Sequence, residues 1–414
     1  MSIKILNLIF YSVLITNTFF HYAIAKPFKR VLVISGGGLN PGTPLGIIHG
    51  VESMGWKPDL IISSCGSSAG SLIYNSSNTH EEHLNVLYDR GIYNSYHQIS
   101  LTNSWFWDLS RIFGRANKRT IYPNIFSDLI LHVPQNLPMQ IQNSDFAIQP
   151  NRTKLIFIGS KSLFTPNQVG NVRPIVHPMF QSVFFTDLET SKYLSDIKNK
   201  PHHVYPYSNV VSDNKIETRF NTIDAFRASI ADPYLLKPFK FENNYYFSGA
   251  VNLFSVDIAL ELGDEVVATY PKGFFNKYEN AAIESTYGFY QNVRILESIQ
   301  HDDVKWIDMD GADENSFNPQ FGTIGLNFDI PNTRYGFNLI LKKQYEFGIS
   351  RAKEALSVPP YSQNHLRKPI SKALLHDYTC KSAYAWKTPD SDYCENDFES
   401  GCNRNSARYC FPLR

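Results

Sequence analysis

The chain has 414 residues, and its 39 basic and 38 acidic side chains leave a formal net charge of +1. The length exceeds that of one minimal domain, and the near-neutral charge gives no compositional support for a nucleic-acid partner. Hydrophobic residues make up 43% of the chain, an ordinary share for a globular protein. We therefore expect a protein with a substantial apolar core and no affinity for nucleic acid.

Residues 1–25 are predicted to be a cleaved signal peptide. A short positive start is followed by an interrupted apolar stretch over 5–20 and by Ala23-Ile24-Ala25, the small-x-small pattern of a cleavage site. An uncleaved membrane anchor is the alternative, but the uninterrupted apolar run is short for crossing a bilayer. We expect a secreted, periplasmic or lumenal protein with no transmembrane segment after removal of the signal.

The next part of the chain alternates between strand-like and helix-like patterns. Apolar β-branched runs indicate strands, and Thr43 before Pro44 is typical of a helix start with Thr43 as the N-cap. The elements predicted in order are a strand at 29–35, a helix at 43–54, a strand at 58–63, a sharp turn at 66–70 and a helix from 69 onward. Such a βαβα unit predicts an α/β fold with a parallel sheet and helices on its faces.

The remaining elements extend the same alternation. Strands are predicted at 154–160, 181–186, 265–269 and 304–309, and helices at 81–93, 222–229, 255–262 and 341–357. From residue 358 the composition turns to Pro, Ser and Asn, which predicts a boundary between 358 and 372.

Gly66-Ser67-Ser68-Ala69-Gly70 has the pattern Gly-x-Ser-x-Gly. An apolar strand precedes it and a helix follows, which is the context that a nucleophile elbow requires. Glycines on both sides suit a strained turn in which backbone passes close to backbone. The pattern predicts Ser68 as a nucleophile between the elbow glycines Gly66 and Gly70. The alternative is a plain glycine-rich turn between a strand and a helix.

Gly36-Gly37-Gly38 ends the first predicted strand and therefore lies beside the elbow in a parallel sheet. Glycines there let backbone N–H groups face a ligand oxygen, so Gly36, Gly37 and Gly38 with Ala69 are predicted to form an oxyanion hole. A nucleotide-binding loop is the alternative, but the third glycine of the dinucleotide pattern and a Gly-Lys-Ser sequence are both missing.

These motifs resemble the opening of the patatin-like phospholipase family. Two later segments are also similar to that family, Arg227-Ala228-Ser229-Ile230-Ala231-Asp232-Pro233 and Phe247-Ser248-Gly249-Ala250-Val251, so the resemblance spans 29–270. It implies a three-layer α/β/α sandwich with a mainly parallel sheet. It also implies hydrolysis of lipid acyl esters by a Ser-Asp dyad, without a cofactor, on a lipid or ester substrate at a membrane surface.

The chain departs from the family at the base of the dyad. The family has Asp-Gly-Gly or Asp-Gly-Ala where this chain has Ser248-Gly249-Ala250, and a serine hydroxyl is not a useful base near pH 7. In one interpretation Asp232 serves as the base, although Asp before Pro233 is also a common turn residue. In the other, the protein is an inactive lipid- or partner-binding module. Acyl transfer to an acceptor other than water uses the same residues.

Cysteines and histidines complete the candidate chemistry. Four cysteines close to the C-terminus predict two disulfides with three possible pairings, whereas Cys65 is predicted to be a buried structural thiol. The terminal four are Cys380, Cys394, Cys402 and Cys410. No metal site is predicted, and no histidine after Ser68 has a supporting triad motif; these histidines include His202, His203, His301, His365 and His376.

The predicted organisation therefore has four parts. Residues 1–25 form the signal peptide and 26–300 the patatin-like hydrolase domain, while 301–370 add a C-terminal elaboration with a long helix and 371–414 a cysteine-rich tail.

Overall fold

The computed structural model describes fifteen stretches of the chain. They are 26–102, 121–127, 130–133, 145–146, 152–174, 178–195, 197, 208–270, 286–288, 298, 301, 303–317, 320–322, 325–327 and 330–358. The predicted signal peptide, the cysteine-rich tail and the disulfides lie outside the described residues, as do His202, His203, His365 and His376.

Strands and helices alternate over residues 28–76, as predicted, and follow a less regular order after that. The strands are β1 Phe28–Ile34, β2 Leu60–Ser64, β3 Ser100–Leu101, β4 Leu131–His132, β5 Lys154–Ser162, β6 Phe180–Phe185, β7 Val210–Glu217, β8 Phe239–Phe241, β9 Asn244–Phe247, β10 Gly263–Tyr270, β11 Val304–Asp308, β12 Gln320–Gly322 and β13 Gly325–Asn327. The helices are α1 Gly42–Ser53, α2 Ser68–Ser76, α3 His80–Leu87, α4 Arg90–His97, α5 Leu188–Ser191, α6 Thr222–Ile230, α7 Val256–Leu262 and α8 Arg334–Ser357.

One large sheet organises these elements, in the order β11-β10-β1-β2-β5-β6-β7. The five strands from β11 to β5 run parallel to one another, with Val31 opposite both Val266 and Leu60. Strands β6 and β7 run antiparallel to β5 but parallel to each other, and the β8–β9 hairpin joins the sheet through β5. Because the central strands are parallel, their carboxyl ends lie at one edge of the sheet.

The sheet is covered by apolar layers on both faces. Along β1, Val31 and Val33 contribute to one buried cluster, and Leu32 and Ile34 to the other. This alternation follows the two-residue period of a strand. Helices α1, α2, α6 and α8 cover the face of Leu32, while α7 covers the face of Val31. The predicted α/β fold with three layers and a mainly parallel sheet is thus confirmed.

Helices α1 and α8 touch through their backbones. A Cβ placed on Gly46 would lie 2.1 Å from the Tyr345 carbonyl oxygen, and one on Gly348 would lie 2.2 Å from the Thr43 carbonyl oxygen. Glycine therefore allows an approach that no side chain would permit. The Gln344 side chain adds a polar link, because its Oε1 accepts a hydrogen bond from the Gly42 N–H at 3.1 Å.

Three helix boundaries differ from their predictions. Thr43 is not an N-cap, because α1 begins at Gly42 with Pro41 in the cap position and the Thr43 hydroxyl donates to Asn40 Oδ1 at 2.8 Å. The helix predicted over 81–93 is two helices, since the Asp89 side chain accepts from the Gly91 N–H at 2.6 Å and starts a new one. Helix α8 begins at Arg334, capped by the Thr333 hydroxyl, and not at 341.

Strand β11 and helix α8 follow the residue predicted to end the hydrolase domain, yet β11 extends the main sheet and α8 contributes to the core. None of the helices that the structure describes combines the length and apolar character needed to cross a membrane.

Candidate active site

The glycine loop of residues 36–38 packs directly against the turn that follows β2. Gly36, Gly37 and Gly38 have φ angles of 69°, 99° and 49°, in the region that favours glycine. The Gly36 carbonyl accepts a hydrogen bond from the Ser67 N–H at 2.5 Å, and a Cβ on Gly66 would lie 2.0 Å from the Gly38 oxygen. The loop and the turn therefore meet at the carboxyl edge of the sheet, with Gly37 and Gly38 exposed.

Cys65 occupies the strained position of this turn. It follows β2 immediately, has a φ of +56° and leads through one 3-10 turn into α2. A positive φ is unfavourable for a residue with a side chain, so surrounding contacts must hold it. The Cys65 N–H donates to Ser229 Oγ at 3.0 Å, and the Ser67 hydroxyl lies 2.7 Å from the Ser64 oxygen. In a nucleophile elbow this strand-to-helix position carries the nucleophile.

The predicted nucleophile Ser68 follows Cys65 by three residues and is the first residue of α2. Its side chain is buried, and its Oγ lies 3.0 Å from Ser229 Oγ. The Ser229 hydroxyl donates its only proton to the Ile158 oxygen at 2.6 Å, so Ser68 must be the donor in the Ser68–Ser229 pair. The Ser68 proton thus points at a neutral hydroxyl, and among the described residues Ser68 is not hydrogen-bonded to Asp232. Its role as nucleophile stays a prediction.

Asp232 lies against Cys65 and Ser248. Its Oδ2 is 3.6 Å from Cys65 Sγ, and the Ser248 side chain lies close to the same carboxyl. Burial raises the pKa of the Asp232 carboxyl above its ordinary value, and the neighbouring Ser248 and Cys65 side chains oppose that shift only partly. The Ser248 N–H donates to the Ala231 oxygen at 3.0 Å, which holds the two segments together. A carboxylate therefore stands beside Ser248, the position at which the family resemblance implies a base.

The surroundings of Cys65 keep its thiol protonated. Burial is the main cause that raises the pKa of the Cys65 thiol, and the nearby Asp232 charge adds to the shift. A hydrogen bond from the Gly66 N–H to the sulfur acts in the opposite direction. Because a thiol of raised pKa is a poor nucleophile at rest, Cys65 needs a base that takes its proton during the reaction.

Tyr287 extends this polar cluster, and no motif in the sequence pointed to it. The Tyr287 hydroxyl lies 3.3 Å from Ser160 Oγ and close to the Ser248 side chain. Burial raises the pKa of Tyr287, so its hydroxyl stays neutral. The result is a connected set from Cys65 through Asp232 and Ser248 to Tyr287.

The other predicted positions support the turn by packing. A Cβ on Gly70 would lie 2.6 Å from the Leu45 N atom, so Gly70 lets α2 approach α1. A Cβ on Gly249 would lie 2.7 Å from the Ile158 oxygen and 3.0 Å from the Cys65 N atom. The neighbouring Ala69 lies in the first turn of α2.

The sequence interpretation missed Cys65 as a functional candidate. Cys65 is partly exposed and was predicted to be buried. The sequence did contain a signal for Cys65. The small residues Ser63 and Ser67 flank Cys65 at the same spacing at which Gly66 and Gly70 flank Ser68. The length of β2 decides which residue stands at the end of the strand.

Comparisons with known proteins add little to this geometry. No protein-family model matches the chain, and no curated protein matches it either. Among solved structures, the crystal structure of VipD from Legionella pneumophila is similar over 87% of this chain and 75% of that chain, with 8% sequence identity and a TM-score of 0.29. A similarity at that score carries no conclusion, so the description of the fold depends on the sheet topology alone.

Proposed function

We propose that this protein hydrolyses ester bonds of lipid acyl chains, with Cys65 as the nucleophile and Asp232 as its general base. The observation that carries the proposal is the Cys65–Asp232 contact, 3.6 Å between Sγ and Oδ2, at a strained strand-to-helix turn beside a glycine loop. The resemblance of 29–270 to patatin-like phospholipases supports lipid esters as the substrate class. Export from the cell, as the N-terminal pattern predicts, belongs to the same proposal.

The reaction has two balanced steps. Asp232 takes the thiol proton while Cys65 Sγ attacks the ester carbonyl carbon, and the tetrahedral intermediate then expels the alcohol, which receives that proton. The product is a thioester on Cys65. Water attacks the thioester with Asp232 again as the base, and the released thiolate regains the proton, leaving a free acid and the original thiol.

A carboxylate and a thiol form a more closely matched pair than a carboxylate and a hydroxyl. An ordinary thiol has a pKa near 8.5, far below that of an alcohol. Burial raises the pKa of the Cys65 thiol, which makes its proton harder to remove, and it also raises the pKa of Asp232, which makes that carboxylate a stronger base. Because these two shifts oppose each other, the intrinsic acidity of the thiol is what favours a carboxylate as its base.

The glycine loop supplies a means of stabilising the intermediate. The Gly66 N–H lies beside the Cys65 sulfur, and Gly37 and Gly38 are exposed next to this turn. Removing one donor of an oxyanion hole costs about 3–4 kcal/mol in an enzyme where this has been measured. We assign this role to Gly66 with Gly37 and Gly38, and the sequence-based assignment to Ala69 stays a prediction tied to Ser68.

The decisive experiment traps the acyl-enzyme. The full chain is incubated with a p-nitrophenyl ester of a fatty acid, quenched in acid and mapped by mass spectrometry. We expect an acyl adduct on Cys65 that neutral hydroxylamine removes, since hydroxylamine cleaves thioesters much faster than oxygen esters. Cys65→Ala is expected to abolish the adduct and the turnover, and Asp232→Asn to slow its formation.

Two serine variants act as matched controls. Ser68→Ala and Ser71→Ala both remove a buried hydroxyl from α2, and both are expected to keep turnover. A hydroxylamine-resistant adduct on Ser68, lost in Ser68→Ala, would overturn Cys65 in favour of Ser68.

Wild-type protein that neither turns over esters and phospholipid vesicles nor reacts with a fluorophosphonate probe would instead favour the inactive binding module. Adding alcohols and analysing the products tests acyl transfer, which gives new esters in place of free acid.

A further inference from the structure

A second polar cluster lies between α1 and α3, on elements that the proposed hydrolysis does not use. His49 and Glu52 come from α1, and His80 and His83 from α3, in each case three residues apart and therefore on one helix face. The His49 and His80 rings stack with their centroids 3.8 Å apart, and His83 lies 5.1 Å from His49. Three imidazoles and a carboxylate thus share one small volume.

The donor atoms lie at spacings that suit one cation. One ligand atom from each of His49, Glu52 and His80 falls within 4.8 Å of the other two, and His80 Nε2 is 3.0 Å from Glu52 Oε2. A tetrahedral Zn²⁺ with bonds of about 2.0–2.2 Å separates its ligand atoms by roughly 3.3–3.5 Å. The nitrogen lone pairs lie in the planes of the rings, so the stacked His49 and His80 rings must turn for the three atoms to close around an ion.

Hydrogen bonds hold the two buried histidines in place. His83 Nε2 lies 3.1 Å from the Ser77 oxygen, which can only accept, so His83 carries a proton on Nε2. His49 Nε2 lies 2.9 Å from His83 Nδ1, and His49 Nδ1 lies 2.8 Å from the Tyr345 hydroxyl. One of these two contacts of His49 must give way when its ring nitrogen binds a metal.

Glu52 has the features of a positioned ligand. Its side chain is only 15% exposed, and no lysine or arginine forms a salt bridge with it in the part of the chain that the structure describes. The Tyr74 hydroxyl donates to Glu52 Oε1 at 2.6 Å, which fixes the carboxylate while Oε2 faces His80. Metal-binding carboxylates are commonly held by such an outer hydrogen bond.

We propose that His49, Glu52 and His80 form a binding site for a divalent transition-metal cation of the Zn²⁺ type. Two imidazoles and one carboxylate are a ligand set that Zn²⁺ uses when it keeps a position open for water. The His80 side chain is 53% exposed, so the ion has a path from solvent and the open position faces outward. When the ion binds, the ring nitrogens of His49 and His80 exchange hydrogen bonds for bonds to the metal. The ion then links α3 to α1, the helix that follows the glycine loop.

The test measures Zn²⁺ binding to the full-length, untagged chain after treatment with a chelator. Titration calorimetry is expected to show one Zn²⁺ per chain, and Co²⁺ is expected to give visible absorption bands of a tetrahedral site. His80→Gln and Glu52→Gln should each abolish this saturable binding. His80 is half exposed, so its replacement leaves the core intact and circular dichroism should be unchanged.

Tyr74→Phe tests the outer hydrogen bond, because it keeps the ring and removes only the hydroxyl. We expect Zn²⁺ affinity to fall about 10-fold, the lower end of the usual range for such partners. His97→Gln is the matched control, since His97 is exposed and its Nε2 bonds to the Pro331 oxygen and not to any member of the cluster. The double variant His202→Ala/His203→Ala controls for chance binding to adjacent histidines. Both controls should bind Zn²⁺ like the wild type.

Two results would overturn the site. One is wild-type protein without saturable Zn²⁺ or Co²⁺ binding, which would leave the cluster as a hydrogen-bonded contact between two helices. The other is wild-type affinity in His80→Gln and Glu52→Gln. Ester hydrolysis does not enter either measurement, so the metal site and the proposed activity are tested separately.

Discussion

The hydroxyl of Ser229 supports the turn at Cys65, and replacing it with Ala is expected to be costly. Ser229 Oγ donates to the Ile158 oxygen at 2.6 Å and accepts from the Cys65 N–H and the Ser68 hydroxyl, both at 3.0 Å. The Ile158 and Cys65 groups belong to the backbone and cannot rotate to new partners. A buried polar group left without a partner costs about 1–3 kcal/mol, so the two together predict a loss of about 2–6 kcal/mol.

Ser68→Ala is the control for the predicted loss of stability in Ser229→Ala. It removes one hydrogen bond but leaves the other two partners of Ser229 in place, so we expect a loss of only about 0.5–1.5 kcal/mol. Urea unfolding followed by tryptophan fluorescence measures both free energies by linear extrapolation. If Ser68→Ala destabilises the protein as much as Ser229→Ala, the assignment of donors in this network is wrong. Turnover should fall in Ser229→Ala, because Cys65 loses the contact that holds its strained backbone.

Three further predictions concern the same edge of the sheet. Gly66→Ala would put a Cβ 2.0 Å from the Gly38 oxygen, so we expect a loss of about 1–3 kcal/mol or more in the free energy of unfolding and a loss of turnover, measured by urea unfolding and ester hydrolysis. The rate at low substrate should fall as pH drops through the raised pKa of Asp232, since the base is then protonated. A raised pKa in the folded protein stabilises the fold fully below the ordinary value and loses that effect as pH rises through the folded pKa. Asp232→Asn should therefore slow turnover yet raise the melting temperature at pH 7, whereas Asp224→Asn, on the preceding helix, should keep turnover. Alkylation of Cys65 by iodoacetamide should be slow at pH 7 and accelerate in strong base, because its thiol pKa is raised; rapid labelling at pH 7 would contradict the description of its surroundings.

Most of the central sheet could be predicted because its strands are short apolar runs closed by glycine or polar residues. The predicted strand at 29–35 is β1, and the strand predicted at 304–309 is β11, each within one residue at either end. Helix ends were harder, since they depend on partners distant in sequence. The Thr43 hydroxyl contacts Gln344, which no local pattern reveals, and this contact is one reason why Thr43 does not cap α1.

The position of the strained residue in the candidate site could not be predicted from local sequence patterns. The strained turn was predicted around Ser68, between Gly66 and Gly70. The structure has the positive φ at Cys65 instead, because β2 continues through Ser63 and Ser64. Strain of this kind costs on the order of 1–3 kcal/mol and persists only when surrounding contacts hold it. Here those contacts come from Ser229 and from the glycine loop, and their positions depend on the tertiary fold.

The close packing of α1 on α8 has a consequence for the order of events during synthesis. The glycine loop and the turn at Cys65 leave the ribosome early, but the helix that holds α1 in place ends at Ser357. Until that helix has emerged, the backbone contacts at Gly46 and Gly348 and the hydrogen bond from Gly42 to Gln344 cannot form. We therefore expect nascent chains to lack the proposed activity until α8 has left the ribosome.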